Sequence, residues 1–491
     1  MTLSRLREAL AQCATLLGPD RVCTGSTELA QANAATFITE AVAPAILKPA
    51  NRAHVAHCLR VANQYRVPVY PVSTGKNWGY GSAVAPQSGC MLLSLAGLDR
   101  IVDFDALAGR VRLEPGVTFQ QLSTFLRDRG ASFQPPYTGS GACTSVIGNI
   151  MERGIGKGLY EDMAAHVHAC EALLANGETL TTKQDASGPH LFGLLPQSNL
   201  AVVVEITLQL EPAPQLSQLI TFPIPGGIDA LAQAIGPLHD TTMRGAPRSQ
   251  LAFLNDFRIA TQIERFPHGT LDPTAALPRE WMRACLEPWH GAQWIGACTL
   301  WADDADELAW RRNAFGKALD ARGLIPRLEL PIDKPQLELD DDGLRCAYWR
   351  KTFPMPSNPD PDRDRCGVIW IAPVVPIGAP HLSTLIALLE TTTLAHGFEP
   401  ALALRSGHTG SLRLILGLFF DRDQTGADAR ALQCHAALQA VLHTAQIPRY
   451  RCSLLDHASN ESDRGVRSAM AALKAHFDPH GILAPQRYCA P

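Results

Sequence analysis

The sequence predicts a mixed helix-and-strand fold of more than one domain, and three observations carry this. The chain has 491 residues, which at roughly 100–200 residues per domain means two or three domains. From residue 41 onward, short β-like runs alternate with stretches of helical spacing. The segment EPAPQLSQLITFPIPGG (211–227) is dense in Pro and turn residues and reads as a domain boundary. Hydrophobic residues make up 46%, enough for a large core. With 43 Lys+Arg against 47 Asp+Glu, the formal charge is −4; no basic excess exists to neutralise a nucleic-acid backbone, and whole-chain disorder is excluded.

Residues 1–40 read as helix and loop. AILKPA (45–50) is a strand, and NRAHVAHCLRVANQY (51–65) a helix. VPVYPVS (67–73) is a buried strand entering a Gly-rich turn. MLLSL (91–95), IVDFD (101–105) and RVRLEPG (110–116) are strands, the last with clean alternation. GVTFQQLSTFLRDRG (116–130) is a helix stopped by Gly130. CEALLANGETLTT (170–182) is a hairpin turning at Asn176-Gly177, and LAVVVEITLQLEP (200–212) a strand. Beyond the boundary come a helix over 304–322, strands in GVIWIAPVV (367–375) and SLRLILGLFF (411–420), and a Pro/Asp-rich loop over 353–365.

The thirteen cysteines are scattered without a CxxC pair, which fits reduced thiols. No run of about 18 apolar residues occurs and the N-terminus lacks a signal-peptide core, so a soluble cytoplasmic protein is expected, with no membrane and no nucleic-acid partner. His166-x-His168 would share one strand face, but no third ligand is apparent and no metal is expected; Asp340–Asp342 reads as a solvated acidic turn.

The most informative segment is Ser73-Thr74-Gly75-Lys76-Asn77-Trp78-Gly79-Tyr80-Gly81-Ser82, a Gly-rich loop directly after a strand. Glycine admits positive φ and close approach of an anion to the amides, so the loop reads as an anion nest or as an ordinary tight turn. It is neither a Walker A loop nor a GxGxxG fingerprint. A second Gly-rich stretch runs from Gly139-Ser140-Gly141-Ala142-Cys143-Thr144-Ser145 through Gly148-Asn149 to Gly154 and Gly156. Together with Glu114-Pro115-Gly116 and Gln197-Ser198-Asn199-Leu200, these loops suit one extended ligand carrying a pyrophosphate and a flat ring.

STGKNWGYGS, LEPGVTFQQL, SVIGNIMERGIG, EALLANGETLTT and QSNLAVVVEITLQL resemble, in order and spacing, the FAD-linked oxidases of the vanillyl-alcohol oxidase and 4-cresol methylhydroxylase flavoprotein type. IWIAPVVP, LFFDRD, YRCSLLDH and AHFDPHGILAP extend the likeness over nearly the whole chain. The resemblance implies an α+β fold: an FAD-binding domain over 1–215, to which 456–491 returns, and an α+β substrate cap over 216–455. It implies FAD held by Ser73, Thr74, Gly75, Lys76, Asn77, Trp78, Gly79 and Tyr80, with Gly116, Gly139, Ser140, Cys143, Ser145, Gly148, Asn149, Gly154, Gly156 and Asn199 touching or shaping the cofactor site. Ala201 stands where the family has glycine.

In the phenol-oxidising branch, two tyrosines and an arginine hold the substrate as a phenolate; the matching residues are Tyr80, Tyr450 and Arg451. The residues alone would read Tyr80 as a turn residue and Tyr450-Arg451 as a core strand pair. An arginine is always charged and tyrosine hydroxyls donate, so the trio suits an oxyanion whose electrons expel hydride toward flavin N5. Trp370, His408 and Arg413 are further substrate-binding candidates, although His408 reads first as a surface or core histidine.

Two departures stand out. Val368 occupies the usual tether position and cannot bond FAD, so a noncovalent, more weakly oxidising flavin is expected. Cys143 is expected to be a plain buried thiol, a 6-S-cysteinyl bond being the alternative. Ser140 stands where the branch has an Asp facing N5, and serine is no general base near neutral pH, so the chemistry needs another group or a substrate that requires no base. The leading expectation is oxidation of a para-substituted phenol or related aromatic alcohol. The alternatives are a tailoring enzyme of the same fold acting on a non-phenolic alcohol, amine or heterocycle, and a flavin-binding protein without turnover. Small Gly139 favours O₂ as acceptor over an electron-transfer partner, and relatives form dimers or octamers, making a homodimer the plain expectation.

Overall fold

The helix Leu3–Leu17 buries Leu6, Ala9, Cys13 and Leu17, a row at three- and four-residue spacing that seats it on the core. In this computed structural model residues 3–25, 27–269, 271–333, 342–407, 410–456 and 464–488 are described. The chain divides into two units: residues 1–155, 162–212 and 451–491 form the first, residues 156–161 and 213–450 the second. The divisions fall at 212/213 and 450/451, where the sequence placed them at 215/216 and 455/456.

The first unit holds a four-stranded sheet in the order Val22–Cys23, Ile46–Leu47, Met91–Ser94, Val69–Val72, with the last three strands parallel. Its helix Arg52–Tyr65 is capped by Asn51, whose side chain accepts from His54 N, and buries Val55, Leu59 and Ala62 against that sheet's core. A five-stranded antiparallel sheet runs Ile101–Asp105, Arg110–Leu113, Val202–Gln209, Val167–Leu173, Thr179–Lys183. The Asn176-Gly177 turn takes Gly177 to φ +79°, the left-handed conformation that only glycine adopts cheaply. The expected helix over 116–130 begins at Phe119, because Thr118 and Gln121 form a reciprocal capping box. The chain's far end returns to this unit: Leu483 bridges Val69, and Val69 N donates to Ile482 O at 2.8 Å.

The second unit is one nine-stranded sheet with helices. Its main path runs Arg327–Leu328, Leu216–Ile224, Trp294–Ala302, Ala252–Asn255, Ala401–Ser406, Ser411–Asp421, Cys366–Ile371. The division at 212/213 falls inside the Pro-rich segment 211–227, as its composition suggests, but most of that segment is not a turn. Leu216–Ile224 is a nine-residue strand paired with Trp294–Ala302 along its whole length. Burial of Ile220, Phe222 and Ile224 outweighs the turn-like composition, since each buried side chain of this size contributes about 1.5–3 kcal/mol. Among the described residues, no helix is long and apolar enough to cross a membrane, and every cysteine is a free thiol. The α+β class is as expected.

Candidate functional site

In the first unit, the loop 73–82 follows the buried parallel strand Val69–Val72. Gly75, Gly79 and Gly81 have φ of +73°, +79° and +122°, and Ser82 +51°, so the loop is wound through the left-handed region. A Cβ on Gly81 would lie 2.7 Å from Leu454 Cβ, while Leu454 N donates to Tyr80 O at 2.9 Å. The loop is thereby fastened to the segment that follows Arg451. The second Gly-rich stretch is tied to the same loop: Ser145 N donates to Thr74 Oγ1 at 3.0 Å, and Ser145 Oγ donates to Pro115 O at 2.6 Å while accepting from Gly148 N. Close approach explains the glycines. A Cβ on Gly148 would lie 2.2 Å from Ser73 Oγ, one on Gly154 2.2 Å from the Asn149 amide, and one on Gly116 2.3 Å from Ala96 O.

The motifs 73–82, 114–118, 145–154, 197–199 and 451–454 are therefore brought together by direct bonds within one unit. Ser140 Oγ, Asn149 Oδ1 and Asn199 Oδ1 are buried there with no hydrogen-bond partner, although buried polar atoms are ordinarily satisfied. These orphaned polar atoms, two in the second Gly-rich stretch and one in the segment 197–200, fit a polar, extended cofactor such as FAD.

Arg451 is fixed from three sides. Its guanidinium lies 3.7 Å over the Tyr80 ring, its Nη2 donates to Asn77 Oδ1 at 2.7 Å, and the same nitrogen is 3.6 Å from Glu152 Oε2. Glu152 also accepts from Gln197 Nε2 at 2.8 Å and from the Tyr488 hydroxyl, and lies 3.5 Å from Arg487 Nη2. Gln197 in turn accepts from Cys452 N at 2.6 Å. Burial pushes the Tyr70 and Tyr488 hydroxyls above the ordinary tyrosine range, so both stay neutral donors beside Arg487. Sequence reasoning missed Glu152, Arg487 and Tyr488. Glu152 stands inside the quoted SVIGNIMERGIG motif, where its carboxylate was the available signal.

Gly156, Trp370, Arg413 and Tyr450 lie in the second unit. Arg413, in the strand Ser411–Asp421, reaches Glu161 Oε1 at 3.4 Å and lies 5.9 Å from the Tyr450 ring. Glu161 is 7% exposed, and a Cβ on Gly407 would come within 2.3 Å of its carboxylate. Trp370 stands edge-on to Phe419 with centroids 5.4 Å apart. Val368 lies two residues before it on the same strand, buried against Phe257, Trp349 and Phe419. Gly156 also belongs here; a Cβ on it would meet Tyr160 O at 1.6 Å. His408 lies outside the described residues. A cavity of about 760 Å³ in this unit, lined by Phe257, Arg279, His396 and Arg430, includes none of the motif residues.

Two expectations are corrected. Cys143 is exposed: it lies inside the turn that Thr144 N closes by donating to Gly141 O at 3.2 Å, and Thr144 and Ser145 take the buried positions. His166 ends a 3-10 turn before the strand Val167–Leu173, so it does not share a strand face with His168. Each imidazole faces its own carboxylate, Glu211 at 3.6 Å and Asp185 at 3.4 Å, and no metal-holding cluster occurs among the described residues.

A sequence profile described as an FAD binding domain matches residues 43–183. The chain is 34% identical, over 99% of its length and 98% of the relative's, to 1'-carboxy-chondrochloren decarboxylase from Chondromyces crocatus. It belongs to the vanillyl-alcohol oxidase and p-cresol methylhydroxylase flavoprotein family. The family resemblance read from the motifs is thus borne out, and the protein is an FAD-dependent oxidoreductase. It is 27% identical to the 4-cresol dehydrogenase [hydroxylating] flavoprotein subunit from Pseudomonas putida over 49% of each chain. Its fold matches p-cresol methylhydroxylase with substrate bound, at TM-score 0.89, 19% identity, 100% of this chain and 98% of that one. A 4-ethylphenol oxidase from Gulosibacter chungangensis matches at TM-score 0.82, 20% identity and the same coverage.

Proposed function

We propose that this flavoprotein oxidises a para-substituted phenol whose side chain carries a carboxylate, with loss of CO₂. The observation that carries this reading is Ser140, whose Oγ is buried without a hydrogen-bond partner and which cannot serve as a base, in a chain aligned end to end with a decarboxylase. When bound, FAD supplies a two-electron hydride acceptor. The chain's own residues do the rest. The loop Ser73–Tyr80, with Gly116, Ser145, Gly148, Asn149, Gly154 and Asn199, holds the cofactor. Arg451, fixed by Glu152 and Asn77, is a permanent cation beside Tyr80 suited to an oxyanion. In the second unit, Tyr450, Arg413 and Trp370 are assigned to the substrate.

The phenolate expels hydride from the benzylic carbon and becomes a quinone methide. The adjacent carboxylate leaves as CO₂, and its C–C bonding pair forms the new C=C while the ring regains its phenolate. No proton is taken from carbon at any point, so a serine suffices where the phenol-oxidising branch has a base. Val368, an unreactive side chain at the tether position, makes the FAD dissociable.

The test is anaerobic flavin reduction with 3-(4-hydroxyphenyl)propanoate and 4-ethylphenol, with CO₂ measured. One CO₂ per flavin reduced is expected with the carboxylate. Equal reduction by 4-ethylphenol with no CO₂ from the acid would restore plain phenol oxidation. Indifference to both would favour a non-phenolic substrate.

A further inference from the structure

Arg258 lies in the helix Asp256–Ile263 of the second unit, where Asn255 caps the helix by accepting from Arg258 N at 2.9 Å. Its side chain points inward and is only 9% exposed. The guanidinium lies 5.1 Å from the Trp370 ring and 5.8 Å from the Phe419 ring. Its Nη1 is 3.6 Å from Cys346 Sγ, and its Nε is buried with no hydrogen-bond partner. The Cys346 thiol is fully buried and pushed up by that burial, so it is neutral and no counter-ion.

The other buried cations of this unit are treated differently. Arg350 pairs with Glu399 at 2.6 Å, and Lys351 with Asp421 at 2.6 Å and Asp423 at 2.7 Å. Among the described residues no carboxylate pairs with Arg258. Aromatic faces offset part of the cost of burying a guanidinium, but they leave the Nε–H of Arg258 unmet. The surrounding wall is built to stay in place: a Cβ on Gly417, opposite Trp370, would lie 2.4 Å from Phe419 Cζ and 2.7 Å from Trp370 Cζ3. A planar guanidinium held beside two rings, with its Nε–H unused and its Nη1 meeting only a neutral thiol, matches a carboxylate attached to an apolar or aromatic body.

We propose that Arg258, flanked by Trp370, recognises the carboxylate of the substrate. This rests on the decarboxylation reading for the identity of the ligand, and it assigns Arg258 a binding role with no part in bond breaking.

The test uses the FAD-loaded protein and its Arg258→Gln, Arg258→Lys and Arg258→Met variants, with calorimetric binding of 3-(4-hydroxyphenyl)propanoate and 4-ethylphenol. Arg258→Gln should weaken the carboxylate at least tenfold and 4-ethylphenol less than twofold, with Arg258→Lys in between. Arg258→Met, by removing a buried charge that lacks a partner, should raise the melting temperature of the ligand-free protein. Parallel weakening of both ligands, unchanged carboxylate affinity, no carboxylate binding by the wild type, or a lower melting temperature for Arg258→Met would each overturn the inference. CO₂ release separates the two readings. Arg258-dependent carboxylate binding without CO₂ would sink the decarboxylase and leave the carboxylate site; CO₂ release indifferent to Arg258→Gln would do the reverse.

Discussion

Replacing Glu152 by Gln removes one negative charge from between two buried guanidiniums and changes almost no volume. The side chains of Glu152, Arg451 and Arg487 are 16%, 7% and 3% exposed, so solvent screens the change poorly. Breaking a buried ion pair by removing one partner costs about 3–5 kcal/mol. The N···O separations of 3.5 and 3.6 Å are longer than an ideal charge-assisted bond, which points to the lower end, about 3 kcal/mol. At about 2–4 °C per kcal/mol for a domain of 150–250 residues, the transition of the first unit should fall by roughly 6–12 °C. Differential scanning calorimetry of the FAD-loaded protein reads this directly. Adding Arg487→Met to Glu152→Gln removes one of the stranded cations and should recover part of the loss. A shift under about 3 °C, or a double variant no better than the single, would refute the view of Glu152 as the anchor of Arg451 and Arg487.

Asp256 has no solvent exposure, and burial raises its pKa to about 6 despite Arg279 and Arg283 nearby. A carboxyl raised in the folded state binds more protons there than when unfolded, so its contribution worsens as pH rises from about 4 to about 6 and is fully adverse above that. The melting temperature of Asp256→Asn relative to wild type should therefore improve between pH 4 and pH 7, by the equivalent of roughly 3 kcal/mol for about two units; a flat difference would count against it. Acid precipitation should leave the flavin in the supernatant, and yellow pellets would contradict the reading of Val368. Gly116→Ala should lower stability and FAD occupancy together, by about 1–3 kcal/mol in melting experiments, because its methyl would meet the backbone oxygens of Ala96 at 2.3 Å and Leu98 at 2.8 Å.

What could be read from the sequence was what neighbouring residues decide. The Gly-rich loops were visible because positive φ at Gly75, Gly79 and Gly81 is a local demand. The hairpin at Asn176-Gly177 and the helix Arg52–Tyr65 follow from turn chemistry and period. Contacts between distant residues leave no such trace. Glu152 meets Arg487 across 335 positions, and Arg451 meets Asn77 across 374. Nothing in the spacing announces either. Nothing around Arg258 in the sequence marks it out, and its lack of a carboxylate partner among the described residues emerges only when the strands carrying Trp370 and Phe419 are laid beside it. The strand Leu216–Ile224 was hidden by prolines flanking and interrupting it, since composition counts Pro223 without knowing that long-range pairing with Trp294–Ala302 tolerates it.

The return of the chain to the first unit has a consequence for biosynthesis. Residues up to Pro212 leave the ribosome long before Arg451, with the whole of 213–450 made in between. At about 5–20 residues per second, those roughly 240 residues take on the order of 12–48 s. Throughout that interval Val69 lacks its partners Ile482 and Leu483, Glu152 lacks both of its arginines, and Tyr80 lacks Leu454. The second unit, continuous except for 156–161, can fold during this wait, while the first unit still lacks residues 451–491. Completion of the first unit is thereby set as a late event, after nearly all of these 491 residues have been made.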